Sequence, residues 1–465
     1  MITARSRRRL ARAGCVLVAA LAVGAVTPAA EARPPKGDTA RVSEGFKGEQ
    51  LNGASTGLGL SADGRSALFS SSATDLLPST GTPNSGEVYV RDLRNGHLER
   101  VSVADDGSQL NAPTTDASIS ADGRFVAFST AATNVVPGQA KHANDVFVRD
   151  RWTGHTELIT GGLLATDDDE TIRSADNPTL SADGRYVAYA SNRTDLTTGV
   201  HRGKINIYVT DRWTHTTRLV TTGPSGGTGG TGADNHSYRP TISADGRTVG
   251  FVSRASNLTD PAPGTPAAPA AADAELAGPR FYPYYVWSAA TGRTVVASVD
   301  TTGAERGVGL MDARLSPDGR YALYGMPTYG VDPRPGSHGL RMDLYVHDLV
   351  TGTVTLVNTP LPGTTPTDGS YDPAITADGR WVYFDSAADD LVADDTNQSS
   401  DVFRRDLWTG RIERVSLASD GSQSTAAAQN PYVDAEGGTV LFDAEDGNLV
   451  PGDANTVTDV FRRRL

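Results

Sequence analysis

Nine polar residues occupy almost the same place in an internal repeat, four or five residues before a recurring Ser-x-Asp-Gly-Arg stretch or its variants. They are Asp116, Asp176, Asn177, Tyr238, Arg239, Asp312, Tyr371, Asp372 and Asn430. Carboxylates, a guanidinium, phenols and amides that converge on one opening could bind a cation, an amine or a sugar. The alternative is that these side chains hydrate a channel and join neighbouring loops by hydrogen bonds.

Two loops of matching sequence place several oxygen-bearing side chains close together. The first loop contains Asp394, Asp395, Asn397 and Asp401, and the second contains Asp453, Asn455 and Asp459. Spaced oxygen ligands of this kind suit Ca²⁺. Both loops lack the full EF-hand pattern with its distal Glu, and turn-forming Asp and Asn also explain them. Calcium is therefore a candidate cofactor, and no other cofactor is predicted.

Two short motifs typical of enzymes occur in the sequence, but neither lies beside the secondary structure that its function needs. Residues 227–232 match G-x-G-x-x-G but lie in a Gly/Thr loop with no helix to hold a pyrophosphate. Residues 53–57 match the spacing of a nucleophile elbow but lie in a loop before a strand. The eight histidines are scattered, and no pair has metal-ligand spacing. We therefore predict no catalytic residues.

The repeat, which returns about every 60 residues, predicts the strands that position the polar residues. In the third copy, residues 179–181 and 186–190 read as strands joined by an Asp183-Gly184 hairpin turn. Residues 205–209 and 217–220 read as two further strands. Four strands per unit, rich in Val, Ile, Tyr and Phe, are typical of a β-propeller blade.

The order of the strands at the two ends of the chain predicts a closed ring. We name the strands of each unit A to D. The seventh unit has A, B and C strands, and residues 40–43 before the first A strand echo the D strand at residues 100–102. The sequence therefore predicts one all-β, seven-bladed propeller over residues 33–465, with blade seven shared between residues 39–45 and 431–465. Closure of this kind removes exposed sheet edges.

The repeated pattern S-x-D-G-R-x-[VA]-x-[FY]-x-S, followed by [VI]-[FY]-V-x-D-x-x-[TN]-G, resembles the TolB-like, WD-related β-propeller family. The resemblance extends over the repeats and implies a propeller fold. It also implies a role as a protein-binding platform in the bacterial cell envelope, and similar units are attached to peptidase domains.

The first 32 residues have the pattern of a secretory signal peptide. A basic start with Arg5, Arg7, Arg8, Arg9 and Arg12 precedes an apolar run and an Ala30-Glu31-Ala32 cleavage site. The apolar run is too short for a permanent membrane anchor, so we expect no membrane insertion after cleavage. The location predicted from this leader is extracellular or the cell envelope. Both Sec and twin-arginine export fit the leader.

Composition narrows the choice of partners. The net charge is −13 and the chain has only four lysines, which argues against nucleic acid as a partner. The one cysteine, Cys15, lies in the predicted leader, so stability must come from a large core and not from disulfides. We expect a monomer.

The long connections between strands B and C and between D and the next A open on one face, which we call the long-loop face. Loops carry binding residues more often than strands do. The function predicted is therefore a secreted, non-catalytic propeller that binds a protein, peptide or glycan there. The alternative is an extracellular hydrolase or lyase with carboxylates at the channel mouth. Trp152, Trp213 and Trp408 recur at one C–D turn, and packing within the repeats is favoured for them over a glycan platform.

Overall fold

The computed structural model describes residues 37–78, 86–139, 143–161, 174–201, 203–223, 232–259, 281–309, 312–329, 340–364, 367–445, 447–455 and 457–465. The secondary structure of these residues is β-strand, arranged in seven antiparallel sheets. This arrangement confirms the predicted seven-bladed β-propeller, which is also the fold implied by the resemblance to TolB-like propellers.

Blades one to six pair their strands A to D in chain order, and blade seven takes its D strand from the start of the described chain. Blade one has β2 (Ser55–Leu60), β3 (Ser66–Ser71), β4 (Glu87–Asp92) and β5 (Leu98–Arg100). Blade two has β6 (Thr114–Ile119), β7 (Phe125–Thr130), β8 (Asp145–Asp150) and β9 (His155–Leu158). Blade three has β10 (Ala175–Leu180), β11 (Tyr186–Ser191), β12 (Asn206–Asp211) and β13 (Thr216–Leu219). Blade four has β14 (Ser237–Ile242), β15 (Thr248–Ser253), β16 (Tyr282–Ser288) and β17 (Thr294–Val296), and the short β18 (Gly307–Val308) also pairs with β16.

The remaining blades follow the same plan. Blade five has β19 (Arg314–Leu315), β20 (Tyr321–Tyr329), β21 (Leu340–Asp348) and β22 (Thr353–Leu356). Blade six has β23 (Ser370–Ile375), β24 (Trp381–Ser386), β25 (Asp401–Asp406) and β26 (Ile412–Arg414). Blade seven has β27 (Ala428–Val433), β28 (Thr439–Ala444), β29 (Asp459–Arg464) and, from the start of the described chain, β1 (Asp38–Arg41).

Pairing of β1 with β29 closes the ring, as the strand order predicted. Thr39 strengthens this closure, because its hydroxyl donates a 2.6 Å hydrogen bond to the backbone oxygen of Leu417 in blade six. The A strands of neighbouring blades contact each other around the centre, and β2 of blade one contacts both β6 and β27. The A strands therefore line the central channel.

Two devices recur in the blades. The first is a stacked aromatic pair between strands B and C, with ring centroids 5.6–6.3 Å apart, as in Tyr189 and Tyr208. The second is the A–B turn, in which Ser181 donates to Asp183 at 2.7 Å and Gly184 takes a φ of +68°. A Cβ on Gly184 would lie 2.3 Å from the Phe125 ring. The turn glycine therefore provides both the left-handed backbone and the room for the preceding blade.

The predicted signal peptide, residues 1–32, lies outside the described residues. In the part of the chain that the structure describes, no helix is long and apolar enough to cross a membrane.

Candidate functional site

The A strands carry a β-bulge close to the long-loop face. Six of the seven show a register shift there, for example between Tyr371 and Ala374. In blades three, four, six and seven the residue before a proline takes a left-handed φ of 48–59°. These residues are Asn177, Arg239, Asp372 and Asn430. Left-handed non-glycine residues are uncommon and costly, and they often mark functional sites.

Backbone N–H groups at the bulges bind buried carboxylates of the preceding blade. The N–H of Gly57 in blade one donates to Asp443 of blade seven at 2.7 Å. The N–H of Asn430 in blade seven donates to Asp385 of blade six at 3.2 Å. The N–H of Asp372 in blade six likewise donates to the carboxyl group of Asp312 in blade five. Three consecutive blade junctions are therefore joined by carboxylates at the channel.

Asp443 and Asp385 are almost completely buried. Asp443 also accepts a 2.9 Å hydrogen bond from the Asn430 side-chain amide, which donates at 3.1 Å to the Gly57 carbonyl as well. Burial, and secondarily the negative charge of Asp372, raises the pKa of Asp385 to about 7. Burial raises the pKa of Asp443 to about 7, and the charge of Asp372 again adds to the effect. Both groups therefore titrate near neutral pH.

Asp312 belongs to blade five, the blade before this pair, and is also buried. Burial, and secondarily the charge of Asp372, raises its pKa to about 6. Arg314 and Arg239 act in the opposite direction, because their positive charges favour the ionised carboxylate. Asp372 is thus the charge that acts on all three buried carboxylates.

Asp372 itself reaches solvent, with 30% of its side chain exposed. Its carboxylate lies 3.6 Å from the guanidinium of Arg314, which stacks on the ring of Tyr432 at 5.1 Å from the centroid. Arg314 belongs to blade five and Tyr432 to blade seven, so the arginine side chain reaches across the inner edge of blade six. The exposed Tyr371 ring is next to Asp372 in the chain. We call Asp312, Arg314, Asp372, Asp385 and Asp443 the acidic sector.

The structure brings some of the sequence-predicted rim residues into the acidic sector or against it: Arg239, Asp312, Tyr371, Asp372 and Asn430. The others lie on the inner strands of blades two, three and four. Asp176 accepts hydrogen bonds from Asn144, at 2.7 Å, and from Ser174. Tyr238 stacks on His236 with ring centroids 6.0 Å apart. Asn177 has the left-handed bulge conformation, and Asp116 is half-buried on β6.

The two loops predicted to bind calcium hold arginine side chains. In blade six, the guanidinium of Arg414 lies 3.1 Å from Asp395 and 3.3 Å from Asp401. In blade seven, Arg41 lies 3.9 Å from Asp453 and 3.7 Å from Asp459. Among the described residues, no group of three or more His, Cys, Asp or Glu side chains is arranged to hold a metal ion. The calcium site remains a prediction, and four of its five carboxylates already have cationic partners, namely Asp395, Asp401, Asp453 and Asp459.

The amides and the remaining carboxylate of these loops have local roles. Asn397 donates to Asp401 at 3.1 Å, and Asn455 donates to the Leu51 carbonyl at 2.8 Å. Asp394 is exposed and has a φ of +63°. The carboxylate that begins strand C is paired with arginine in blade two as well, where Arg193 lies 2.8 Å from Asp145. These contacts identify the position of Asp401 and Asp459 as part of the repeat's own scaffold.

Sequence reasoning missed Asp385 and Asp443, because both lie on B strands that read as core. Alignment of the seven repeats shows that these two aspartates are unusual at their position. The fifth residue of strand B is small or apolar in the other blades: Ser70, Ser129, Ala190, Val252 and Gly325. A carboxylate at this position in two successive blades departs from the pattern, and a buried carboxylate needs a compensating partner.

Known proteins resemble this chain in fold and not in sequence. No protein-family model matches the chain, and no curated protein matches its sequence. Oligogalacturonate lyase from Vibrio parahaemolyticus superposes with a TM-score of 0.51 and 11% identity, covering 94% of this chain and 98% of the lyase chain. The propeller domain of the Trilobed protease from Pyrococcus furiosus has a TM-score of 0.43 and 12% identity, covering 73% of this chain and 79% of its own. A protein described as TolB from Agrobacterium tumefaciens has a TM-score of 0.38 and 16% identity, covering 66% and 81%. At such identities a likeness concerns the fold alone, and the chain is a seven-bladed β-propeller.

Proposed function

We propose that this protein is a secreted, non-catalytic propeller that binds a protein or peptide through its long-loop face, with a basic side chain of the partner at Asp372. The observation that carries the proposal is the position of Asp372, which is partly exposed and acts electrostatically on Asp312, Asp385 and Asp443. A cation placed there would relieve the repulsion among these carboxylates. The net charge of −13 would also attract a basic partner at a distance.

The roles of the buried carboxylates support binding over catalysis. Asp312, Asp385 and Asp443 each accept a backbone N–H from the next blade, so their first task is to join blades. Joined blades hold Asp372 and Tyr371 in fixed positions at the mouth. A preorganised site loses less conformational entropy when it binds.

Calorimetric titration tests this function with lysine- and arginine-containing peptides and with the same peptides after acetylation of lysine. We expect Asp372→Asn to weaken binding at least tenfold. Asp106→Asn, on an exposed loop of blade one, is the control and should bind as the wild type does. Binding by acetylated and unmodified lysine peptides with equal strength would contradict a cation site.

The raised pKa values of the three buried carboxyl groups predict a second measurable quantity in the calorimetric titration, the number of protons released on binding. A bound cation favours the ionised forms of Asp312, Asp385 and Asp443, so it lowers their pKa values from about 6 or 7. Binding should therefore release protons near neutral pH, and affinity should rise between pH 6 and 8. Titrations in two buffers of different ionisation enthalpy measure the proton release.

Secretion rests on the leader-like sequence of residues 1–32. Expression of the full chain, followed by mass measurement of the protein recovered outside the cytoplasm, tests it. A mature start near Arg33 is expected. Recovery of the uncleaved chain from the cytoplasm alone would remove this part of the proposal.

A second candidate function is an extracellular hydrolase or lyase. The observation that favours it is Asp312, whose pKa is raised by burial to about 6, because a carboxyl group with such a pKa can transfer protons near neutral pH. The similarly folded lyase from Vibrio parahaemolyticus suggests oligogalacturonate as a first substrate to test. Turnover that Asp312→Asn abolishes would favour the enzyme, and absence of turnover would favour the binding protein.

A further inference from the structure

Three tryptophans stand out on the face opposite the long loops, where the A–B and C–D turns lie. Trp152, Trp213 and Trp408 occupy the same C–D turn position in blades two, three and six and are 69%, 66% and 71% exposed. Val350 holds this position in blade five and is also exposed. The packing predicted for the tryptophans therefore involves a minor part of each side chain, and most of each indole remains in solvent.

Each indole lies on a guanidinium that is itself fixed in place. In blade three, the Arg185 guanidinium lies between the rings of Tyr186 and Trp213, 4.8 Å and 4.5 Å from their centroids. Its Nε and Nη2 atoms donate to the two oxygens of Asp211 at 2.9 and 2.6 Å. The Asp211 carboxylate also accepts the backbone N–H of Trp213 at 3.0 Å. The indole orientation is thus determined before any ligand arrives.

The same sandwich occurs in the two other blades. Arg124 lies 4.6 Å from the Trp152 centroid and donates to Asp150 at 2.9 and 2.6 Å. Arg380 lies 4.7 Å from the Trp408 centroid and donates to Asp406 at 2.7 Å. In blade five, Arg320 makes the equivalent bond to Asp348 at 2.6 Å, with Val350 in the place of the indole.

The charges around each indole indicate that the ligand is neutral. One face of the ring is covered by a guanidinium whose charge is balanced by an aspartate, so the pair adds no net charge that would favour a cation. The guanidinium charge is compensated by a bidentate aspartate, so the site offers little attraction to an anion. What remains is a rigid, flat, apolar face surrounded by polar turn residues. The C–H face of a neutral sugar ring fits such a surface, since its weakly positive hydrogens meet the negative face of the indole.

We propose that these tryptophans form a binding surface for a neutral polysaccharide, separate from the channel mouth. The three indoles lie on different blades, so they are separate contact points and not one continuous apolar patch. A polymer of repeated sugar rings can contact several separated indoles at once. Several weak contacts with one polymer increase the overall affinity through effective concentration.

Affinity gel electrophoresis of the mature protein tests the proposal. The gels contain dextran, mixed-linkage β-glucan, galactomannan, xyloglucan or amylopectin, with polygalacturonate as an acidic comparison. We expect retardation by at least one neutral polymer and at least a tenfold lower association constant for a variant carrying Trp152→Ala, Trp213→Ala and Trp408→Ala. The matched control is Phe46→Ala, which removes an exposed aromatic ring from the long-loop face.

The fourth blade allows a gain-of-function test. Val350→Trp places an indole beside Arg320, whose two hydrogen bonds to Asp348 already exist. This variant should bind the neutral polysaccharide about threefold more tightly. Thermal unfolding of the triple variant checks its folding, and the three single variants replace it if its melting temperature falls. Retardation by no neutral polymer, by polygalacturonate alone, or equally for wild type and tryptophan variants would overturn the proposal.

Discussion

Replacing Asp443 by asparagine should flatten the dependence of stability on pH. The pKa of this buried carboxyl group is raised from 3.8 to about 7 in the folded protein. Between these values the folded state holds a proton that the unfolded state has released, so stability falls as pH rises. A shift of about three pKa units corresponds to about 4 kcal/mol, at about 1.4 kcal/mol per unit. Of this, about 3 kcal/mol is lost between pH 5 and pH 9.

The assay is urea unfolding of the wild type and Asp443→Asn at pH 5, 7 and 9. The asparagine oxygen can still accept the Gly57 N–H, while the bond to the Asn430 amide must rearrange. The variant can therefore be less stable at pH 5, and the quantity to compare is the loss between pH 5 and pH 9. We expect that loss to be about 3 kcal/mol smaller in the variant. Asp116→Asn, half-buried on β6, is the control. Parallel stability curves for wild type and Asp443→Asn would refute the reasoning.

Three further predictions concern the scaffold. Asp211→Asn should cost about 1 kcal/mol at pH 7, because the Arg185 bond lowers the Asp211 pKa to about 2 and solvent screens this surface pair; the difference from wild type in acid unfolding should vanish as the pH falls from 4 to 2. Gly246→Ala should cost about 3 kcal/mol in urea unfolding, because the new Cβ would lie 2.1 Å from the Tyr186 ring. Gly292→Ala, with a similar φ of +65° and open space around it, should cost only about 1 kcal/mol. Deletion of β1 should lower the melting temperature and cause self-association, visible by light scattering, because it exposes the outer edge of β29.

Much of the scaffold was predictable because the repeat carries its own local chemistry. The Asp183-Gly184 turn is specified by neighbouring residues, since Ser181 and the backbone supply its hydrogen bonds. Six copies of this turn and a divergent seventh at residues 434–438, each followed by a run of apolar residues, predict the number of blades. The echo between residues 40–43 and 100–102 predicted the closure now seen as β1 paired with β29.

The candidate site was predictable in part. The shared position four or five residues before each repeat motif pointed to Asp312 and Asp372, which do lie together. The calcium hypothesis for the acidic loops did not anticipate Arg41 and Arg414, because both arginines come from D strands outside the loops. Arg414 lies on the next strand of the same blade. Arg41 meets Asp459 only where the two ends of the chain join. Ion pairing between distant segments has no local sequence signal.

The sequence by itself determined the blade, its four strands, its turns and the closure of the ring, because these depend on residues close together or on a regular repeat. Only the tertiary structure decided that Asp385 and Asp443 become buried titrating groups, and that Asp372 lies where its charge acts on both. Burial and charge coupling depend on which blades are neighbours in space. A carboxylate that reads as an irregularity in one strand acquires its raised pKa from the adjacent blade and from the exclusion of water at their junction.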